Sequence, residues 1–222
     1  MKEESVSVQL EFEKLTPKES QKNALAFYDL MKKRRTVRHF SKKPVPETVI
    51  ENAIKAAGTA PSGANKQPWQ FCIVKNPDLK HRIRVAAEKE EKQNYESRFS
   101  KSFKHDLATF ETSFIKEFID DAPALIVVFK ENYRIRNGVH LKNYYVNESV
   151  GIASGILIAA LHHAGMATLT HTPNPMKFLN DILDRPRNET PILLMPVGYP
   201  ADDAVIPDLK RKKSWEIMHV YE

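Results

Sequence analysis

The chain has 222 residues, 34 Lys and Arg against 28 Asp and Glu for a formal charge of +6, and a single Cys. That length suits one large domain or two small ones; the 41% hydrophobic share excludes wholesale disorder; one Cys excludes a disulfide framework and a CxxC redox or zinc site. The longest apolar stretches, Ala122–Phe129 and Val150–Leu161, fall short of the roughly 20 residues that span a bilayer, and the opening MKEESVSVQLEFEKL lacks the apolar centre of a signal peptide, so a soluble, cytoplasmic protein of a reducing compartment is expected.

Met1–Pro17 alternates weakly and reads as an extended arm. Pro17–Lys33 reads as a helix, with Ala24, Phe27, Tyr28 and Met31 at helical spacing. Pro44–Glu47 opens a second helix, with Val49, Ile50, Ile54 and Ala57 on one face and Gly58 near its end. Thr59–Pro68 is rich in turn formers, and Trp69–Lys75 predicts a strand. Pro77–Tyr95 is helical and heavily charged, Ser97–Thr109 fits no single period, and Glu111–Asp120 reads as helix. Ala124–Lys130 (ALIVVFK) predicts a buried strand, and Asn132–Leu141 a loop. Tyr144–Gly165 is the most apolar helix. Met166–His171 then predicts a strand, Pro175–Leu183 a helix, Ile192–Tyr199 a strand, and the tail from Pro200 a second extended arm. Strands alternating with helices predict a sheet covered on both faces, of the α/β or α+β class. The arms have no core of their own, which points to a dimer. Gly151 and Gly155, four apart, predict close helix packing, of which a homodimer helix pair is one form.

The positive charge is concentrated in two places. Lys32, Lys33, Arg34, Arg35, Arg38, Lys42 and Lys43 fall within twelve residues that hold no acid, and Lys210, Arg211, Lys212 and Lys213 form the second cluster. Three readings are open: a solvated basic face, a nucleic-acid surface, or a phosphate site of converging Arg forks and backbone N–H groups. A nucleic-acid surface would want aromatics or a reading helix beside the basic residues, and neither cluster supplies them. Walker A, GxGxxG, HExxH and GxSxG motifs do not occur. The eight His lack ligand spacing, and His162–His163 near a helix end read as solvated.

RRTVRHF, a short helix and then TAPSGANKQPWQF resemble the opening of the flavin-dependent nitroreductase superfamily. EEKQNY (Glu90–Tyr95), FIKEFIDDAPALIVVF, NYYVNESVGIASGILIAAL, HAGMATLTHTP and VGYPADDAVIPDLKRK are similar to the iodotyrosine deiodinase family within it, from about Arg34 to the end. The resemblance implies a single nitroreductase-like α+β domain over residues 1–222. It would have a mixed central sheet under helices on both faces, paired as a homodimer with exchanged terminal arms (1–16 and 200–222). It implies FMN as cofactor, no metal, and reductive dehalogenation of 3-iodo-L-tyrosine and other halotyrosines to L-tyrosine and halide. Electrons would come from an external donor, NAD(P)H through a reductase or a reduced carrier. The family's animal members carry an N-terminal membrane anchor, which this chain is expected to lack; no membrane or nucleic-acid partner is expected.

By the same resemblance Arg34, Arg35, Thr36, Arg38 and Arg211 hold the FMN phosphate and ribityl chain, so the two basic clusters become largely one site. Ser62 and Gly63 lie against the flavin ring, where a small loop permits close approach. Thr170, His171 and Thr172 match a Thr-Thr-Thr before Pro, from which His171 departs. Thr172 would hydrogen-bond flavin N5 and favour electron transfer in single steps. Ala64 would meet the substrate phenolate through its backbone N–H. Glu91, Tyr95 and Lys116 would clamp the substrate zwitterion. Chemistry agrees, because Glu91 and Tyr95 at i and i+4 share a helix face, a carboxylate takes an ammonium, and Lys with a phenol hydroxyl takes a carboxylate. Residues 88–109 would form a lid that orders on substrate. The same fold also serves general NAD(P)H-dependent nitro- and quinone reductases, which need no such clamp, and a halotyrosine sensor would bind without turnover.

Overall fold

The computed structural model describes residues 7–110 and 112–222. They form two units, one ending at Arg34 and one running from Arg35 to Glu222. In the first, residues 7–16 form no helix or strand and are exposed; the first six residues of the expected arm lie outside the described residues. Helix α1 (Pro17–Met31) follows. The Thr16 hydroxyl accepts the Glu19 N–H, and the Glu19 carboxylate accepts the Thr16 N–H at 2.8 Å, a reciprocal cap. Within its unit α1 buries no residue, and Leu25, Phe27 and Tyr28 stand exposed.

The second unit is a four-stranded sheet between two layers of helices. In chain order it holds α2 (Glu47–Gly58), β1 (Trp69–Val74), α3 (Pro77–Gln93), α4 (Lys101–Ala108), α5 (Phe118–Asp121), β2 (Ala124–Glu131), β3 (Tyr133–Arg136), β4 (Val139–Lys142), α6 (Val146–His163), β5 (Ala167–Thr168), α7 (Phe178–Ile182) and β6 (Glu189–Gly198). The sheet order is β1-β2-β6-β5, every neighbouring pair antiparallel. One parallel bridge, Thr36 to Thr168, gives the sheet its mixed character.

β2 explains why both faces are covered. Its first six residues are all buried, and successive side chains of a strand point to opposite faces. Leu125, Val127 and Phe129 join Ile83, Ala87, Ile119 and Leu179 in one core, under α3, α5 and α7. Ala124, Ile126 and Val128 join Ile50, Ala53, Ala57, Val150, Ala153, Leu157 and Leu161 in the other, under α2 and α6. Each fully buried Leu, Ile, Val or Phe contributes roughly 1.5–3 kcal/mol. The α+β sandwich expected from the sequence is the fold observed.

Several segments differ from their sequence pattern. Asn132–Leu141, expected as a loop, holds the β3–β4 hairpin; Asn137 and Gly138 both take positive φ (51° and 76°), the turn that Asn-Gly favours. The helix expected over Glu111–Asp120 shrinks to Phe118–Asp121, and Glu111 itself is outside the described residues. Here side chains compete with the helix ladder: Ser113 Oγ accepts the Ile115 N–H at 3.2 Å and Glu88 takes the Lys116 N–H at 2.7 Å. Met166–His171 reduces to β5 plus a bridge from His171 to Leu194. The helix expected over Pro175–Leu183 is only Phe178–Ile182. Ser97–Thr109 resolves into the end of a π-helical turn (Asn94–Arg98) and α4, whose cap is Ser100. Gly151 and Gly155 are exposed, and a Cβ built on either would meet nothing within 4 Å, so no described neighbour packs against that stripe.

Candidate active site

Several of the charged residues singled out by sequence, Arg38, Glu91 and Lys116, meet beside the strip that follows β5. The segment after Arg35 zips along β5 and past the end of β6. Val37 N–H donates to Thr168 O at 3.3 Å, Ser41 N–H to Tyr199 O at 2.9 Å, and Ala201 N–H to His39 O at 3.0 Å. Val37 and Phe40 are buried in the core, which leaves Arg38 to face outward. Burial holds the Arg38 guanidinium below its ordinary value, and no ion pair offsets that cost among the described residues.

Arg38 lines two cavities. The smaller, about 160 Å³, is walled by Glu91, Tyr95, Phe99, Phe103, Leu107, Thr112, Lys116, Phe118 and Leu169–Thr172. The larger, about 520 Å³, lies between Thr36, Arg38 and His39 on one side and Val205–Leu209 on the other, with Thr109 and Phe110. The Arg35 guanidinium donates to the Pro207 carbonyl, tying the first basic segment to the C-terminal run.

The smaller cavity contains a buried ion pair. Lys116 Nζ is 3.2 Å from Glu91 Oε2, with side-chain exposures of 4% and 9%. Isolated burial of either charge would cost several kcal/mol, so each requires the other. Burial pulls the Lys116 ammonium below its ordinary value, and the Glu91 carboxylate opposes that. The ammonium also donates to Thr112 Oγ1 at 3.3 Å and to the Ser113 carbonyl. Tyr95 donates its hydroxyl to Thr112 O at 3.1 Å, and its ring centroid is 5.9 Å from Lys116 Nζ. Burial pushes the Tyr95 phenol up.

Glu91 and Tyr95 face the same cavity although the helix changes type between them. α3 ends at Gln93, and Asn94–Arg98 winds as a π-helix, closed by Phe99 N–H to Asn94 O at 2.9 Å. Such turns occur often at functional sites. Asn94 is buried and donates its amide to Asn174 O at 2.8 Å, fastening this turn to the loop after Thr172. Beyond Tyr95 the wall is aromatic: Tyr95 meets Phe99 edge-on at 5.4 Å, and Phe99 meets Phe103 at 4.7 Å. The segment expected as a lid thus supplies one side of the cavity. Phe99, Phe103, Leu107, Thr112 and Phe118 were not anticipated, though the four-residue spacing Tyr95–Phe99–Phe103–Leu107 is visible in the sequence.

The strip Thr170–Thr172 forms the opposite wall, with Thr170 and Thr172 exposed and His171 buried. His171 is fixed through its backbone, donating to Leu194 O at 3.0 Å and accepting from Leu194 N–H at 2.9 Å. Its ring meets Phe118 edge-on at 5.5 Å, and its Nε2 is buried without a hydrogen-bond partner. Burial, with Lys116 and Arg38 as the neighbouring charges, pulls the imidazole down to about 3.

The expected residues do not all converge. Arg38, Glu91, Tyr95, Lys116, Thr170, His171 and Thr172 share one cavity, and Thr36 joins Arg38 in the next. Arg211 is exposed beyond the lining residue Leu209, and Arg34 closes the N-terminal unit. Ser62, Gly63 and Ala64 line neither cavity; their loop packs on the start of α6, where Gly63 N–H points to Ser149 Oγ at 3.4 Å. A Cβ on Gly63 would lie 2.8 Å from Tyr144 O and from the Tyr145 ring, so this chain itself demands glycine there. Ala64, Asn65 and Gln67 all take positive φ near 50°, backbone strain of the kind held at ligand-binding loops.

The His171 environment has a thermodynamic consequence. Below pH 6.5 the unfolded imidazole binds a proton that the folded one refuses until about pH 3, so stability falls as pH drops through that window. His171→Thr should therefore shrink the loss of Tm between pH 7 and pH 5, measured by thermal denaturation; an unchanged loss would contradict the burial argument.

The profile of the nitroreductase family matches residues 31–199. The chain is 52% identical over 206 residues to an iodotyrosine deiodinase of Haliscomenobacter hydrossis, covering 92% of this chain and 93% of that one. It is 50% identical over 194 residues to iodotyrosine deiodinase 1 of Rattus norvegicus, covering 86% and 68%. Among solved structures it resembles oxidised iodotyrosine deiodinase bound to FMN and 3-iodo-L-tyrosine, with TM-score 0.76, 34% identity, and coverage of 88% of this chain and 98% of that one. An FMN-bound nitroreductase from Bacteroides fragilis, 20% identical with TM-score 0.65, shares the fold. A sandwich with this sheet order, matched over most of its length by both sequence and structure, places the chain in the nitroreductase family, beside the iodotyrosine deiodinases.

Proposed function

We propose that the protein is an FMN-dependent halotyrosine dehalogenase, acting on 3-iodo-L-tyrosine in the first instance. The observation that carries this reading is the buried Glu91–Lys116 pair with the Tyr95 hydroxyl beside it. An α-amino acid presents one ammonium and one carboxylate a few ångströms apart. Set between the two side chains, its ammonium pairs with Glu91 and its carboxylate with Lys116, so every buried charge keeps a partner. Tyr95 would exchange the Thr112 carbonyl for the incoming carboxylate, and the ladder Tyr95–Phe99–Phe103 offers edges to an aromatic ring. A general nitro- or quinone reductase has no use for two opposite charges buried at such cost.

The residues present also fit FMN. Among the described residues no ion pair offsets the half-buried Arg38, and Thr36 and Arg38 line one wall of the larger cavity, where a phosphate and a ribityl chain would find donors; Arg35 beside them is held by the Pro207 carbonyl. The unpartnered His171 Nε2 and the exposed Thr170 and Thr172 form a polar strip along the smaller cavity, which Arg38 also lines. FMN, when bound, supplies the two electrons that, with one proton, convert a carbon–iodine bond to a carbon–hydrogen bond and iodide. The chain's contribution is to hold the zwitterion, orient the ring and offer the Thr172 hydroxyl toward flavin N5. The electron donor is external, NAD(P)H through a reductase or a reduced carrier.

We infer further that the working unit is a homodimer. The α6 stripe Gly151, Ile152 and Gly155 is exposed, as are Trp215, Ile217, Met218, Val220 and Tyr221 in the C-terminal run, apolar surface that a second copy could cover. A second copy would cover it and bring its Ser62–Ala64 loop to the cavity that this chain's own loop does not reach. A solution mass twice 25.5 kDa is expected by light scattering; a stable monomer carrying FMN would contradict the inference.

Glu91→Gln tests the reading of the clamp. It leaves Lys116 buried without a counter-charge, and loss of one member of a buried pair costs about 2–5 kcal/mol. kcat/KM for 3-iodo-L-tyrosine should fall by roughly 30-fold or more, while reduction of a nitroarene with no amino-acid group stays within about twofold. Equal losses on both substrates would point to a general reductase.

A further inference from the structure

α3 sends two carboxylates toward the segment 112–117, and they meet different parts of the same residue. Glu91 takes the Lys116 ammonium at 3.2 Å. Glu88 takes the Lys116 backbone, accepting its N–H on Oε1 at 2.7 Å. The same oxygen accepts Arg84 Nε–H at 2.8 Å, and Arg84 reaches Asp120 Oδ2 at 3.1 Å. His81 Nδ1 lies 3.1 Å from that Asp120 oxygen. His81, Arg84 and Glu88, spaced along one helix face, therefore hold Lys116 at one end of a short segment and Asp120 at the other.

This brace matters because the Lys116 N–H is held by Glu88 and not by a helix ladder of its own segment. Residues 112–116 are irregular, and helix α5 begins only at Phe118. Glu88 supplies an acceptor oxygen for that N–H from a helix that is itself packed into the core through Ile83 and Ala87. Glu88 is absent from the cavity lining, so it does not meet the ligand. Its neighbour Glu90 is occupied elsewhere, accepting from Arg98 at 2.7 Å.

We propose that Glu88 is the positioning residue of the amino-acid clamp: its bond to the Lys116 N–H sets the separation of Lys116 Nζ from Glu91, and with it the affinity for a zwitterion. The proposal rests on the clamp reading given above. A zwitterion has a fixed distance between its charges, so a lysine that drifts by an ångström satisfies one end at the expense of the other.

The experiment compares holoenzyme of the wild type, Glu88→Ala, Glu88→Gln and Glu91→Gln. FMN per chain, flavin-fluorescence titration with 3-iodo-L-tyrosine, and kcat and KM under a fixed chemical reductant are read for each. Glu88→Gln keeps an acceptor oxygen for the Lys116 N–H; Glu88→Ala removes it. The proposal expects Glu88→Ala to raise Kd and KM about tenfold with kcat within about twofold and FMN content unchanged, and Glu88→Gln to recover to within about threefold of wild type. Wild-type binding by Glu88→Ala overturns it. So does Glu88→Gln binding as weakly as Glu88→Ala, which would assign the effect to charge, or a parallel loss of FMN in Glu88→Ala, which would assign it to folding. If Glu91→Gln itself binds 3-iodo-L-tyrosine normally, the clamp reading has failed, and Glu88 with it; if Glu91→Gln fails to bind while Glu88→Ala binds normally, only the positioning role is lost.

Discussion

An ammonium and a carboxylate that both lie almost out of water must stay together or lose several kcal/mol each. The Lys116–Glu91 pair imposes that condition where α3, the irregular run 112–117 and the strip after β5 converge. Much of the surrounding geometry serves it. α3 is seated on the sheet by Ile83 and Ala87, which fixes Glu91. Glu88 holds the Lys116 main chain, and Arg84 extends that hold to Asp120. The π-turn at Asn94–Arg98 aims Tyr95 into the same space, and Asn94 ties the turn to the loop at Asn174. A pair this buried adds little to stability compared with an apolar substitute; in the proposed reading its value is to recognise another pair of opposite charges.

The neighbouring wall has the opposite electrostatic character. Arg38 stands half-buried with no ion pair among the described residues, and burial, with Lys116 and Arg38 as the neighbouring charges, suppresses protonation of His171. An anion placed beside Arg38 would relieve both burdens, as a phosphate does. The amino-acid clamp is internally neutral and the cofactor side carries uncompensated positive charge. That division lets one small region accept a net-neutral head group and an anionic cofactor without interference.

The hydrophobic pattern of β2 carried most of the fold. A short, β-branched-rich run bounded by Pro123 fits a strand covered on both faces better than a buried helix, and the flanking helical periods supplied the cover. Misreadings fell where side chains or turn chemistry override periodicity. Asn137–Gly138 makes a hairpin out of a stretch read as loop. Glu88 and Ser113 divert backbone donors that a helix over 111–120 would use. For the site, Glu91, Tyr95 and Lys116 came from resemblance, since nothing in their local spacing separates Glu91 from Glu88 and Glu90. The structure separates all three by partner: the Lys116 backbone for Glu88, Arg98 for Glu90 and the Lys116 ammonium for Glu91. The aromatic ladder from Tyr95 to Phe103 was legible as a spacing and was overlooked because charge dominates that segment. Gly63 was expected to make room for a flavin, yet Tyr144 and Tyr145 of the same chain already exclude a side chain there.

In the proposed reading one cavity holds an amino acid by both its charges beside a bound flavin. Titrating the flavin fluorescence of the purified holoprotein with 3-iodo-L-tyrosine, with L-tyrosine as control, tests it most directly. Saturable quenching by the iodinated amino acid and far weaker quenching by tyrosine are expected, since an ortho halogen makes the phenol easier to ionise. Bound flavin whose fluorescence ignores both ligands would contradict the account.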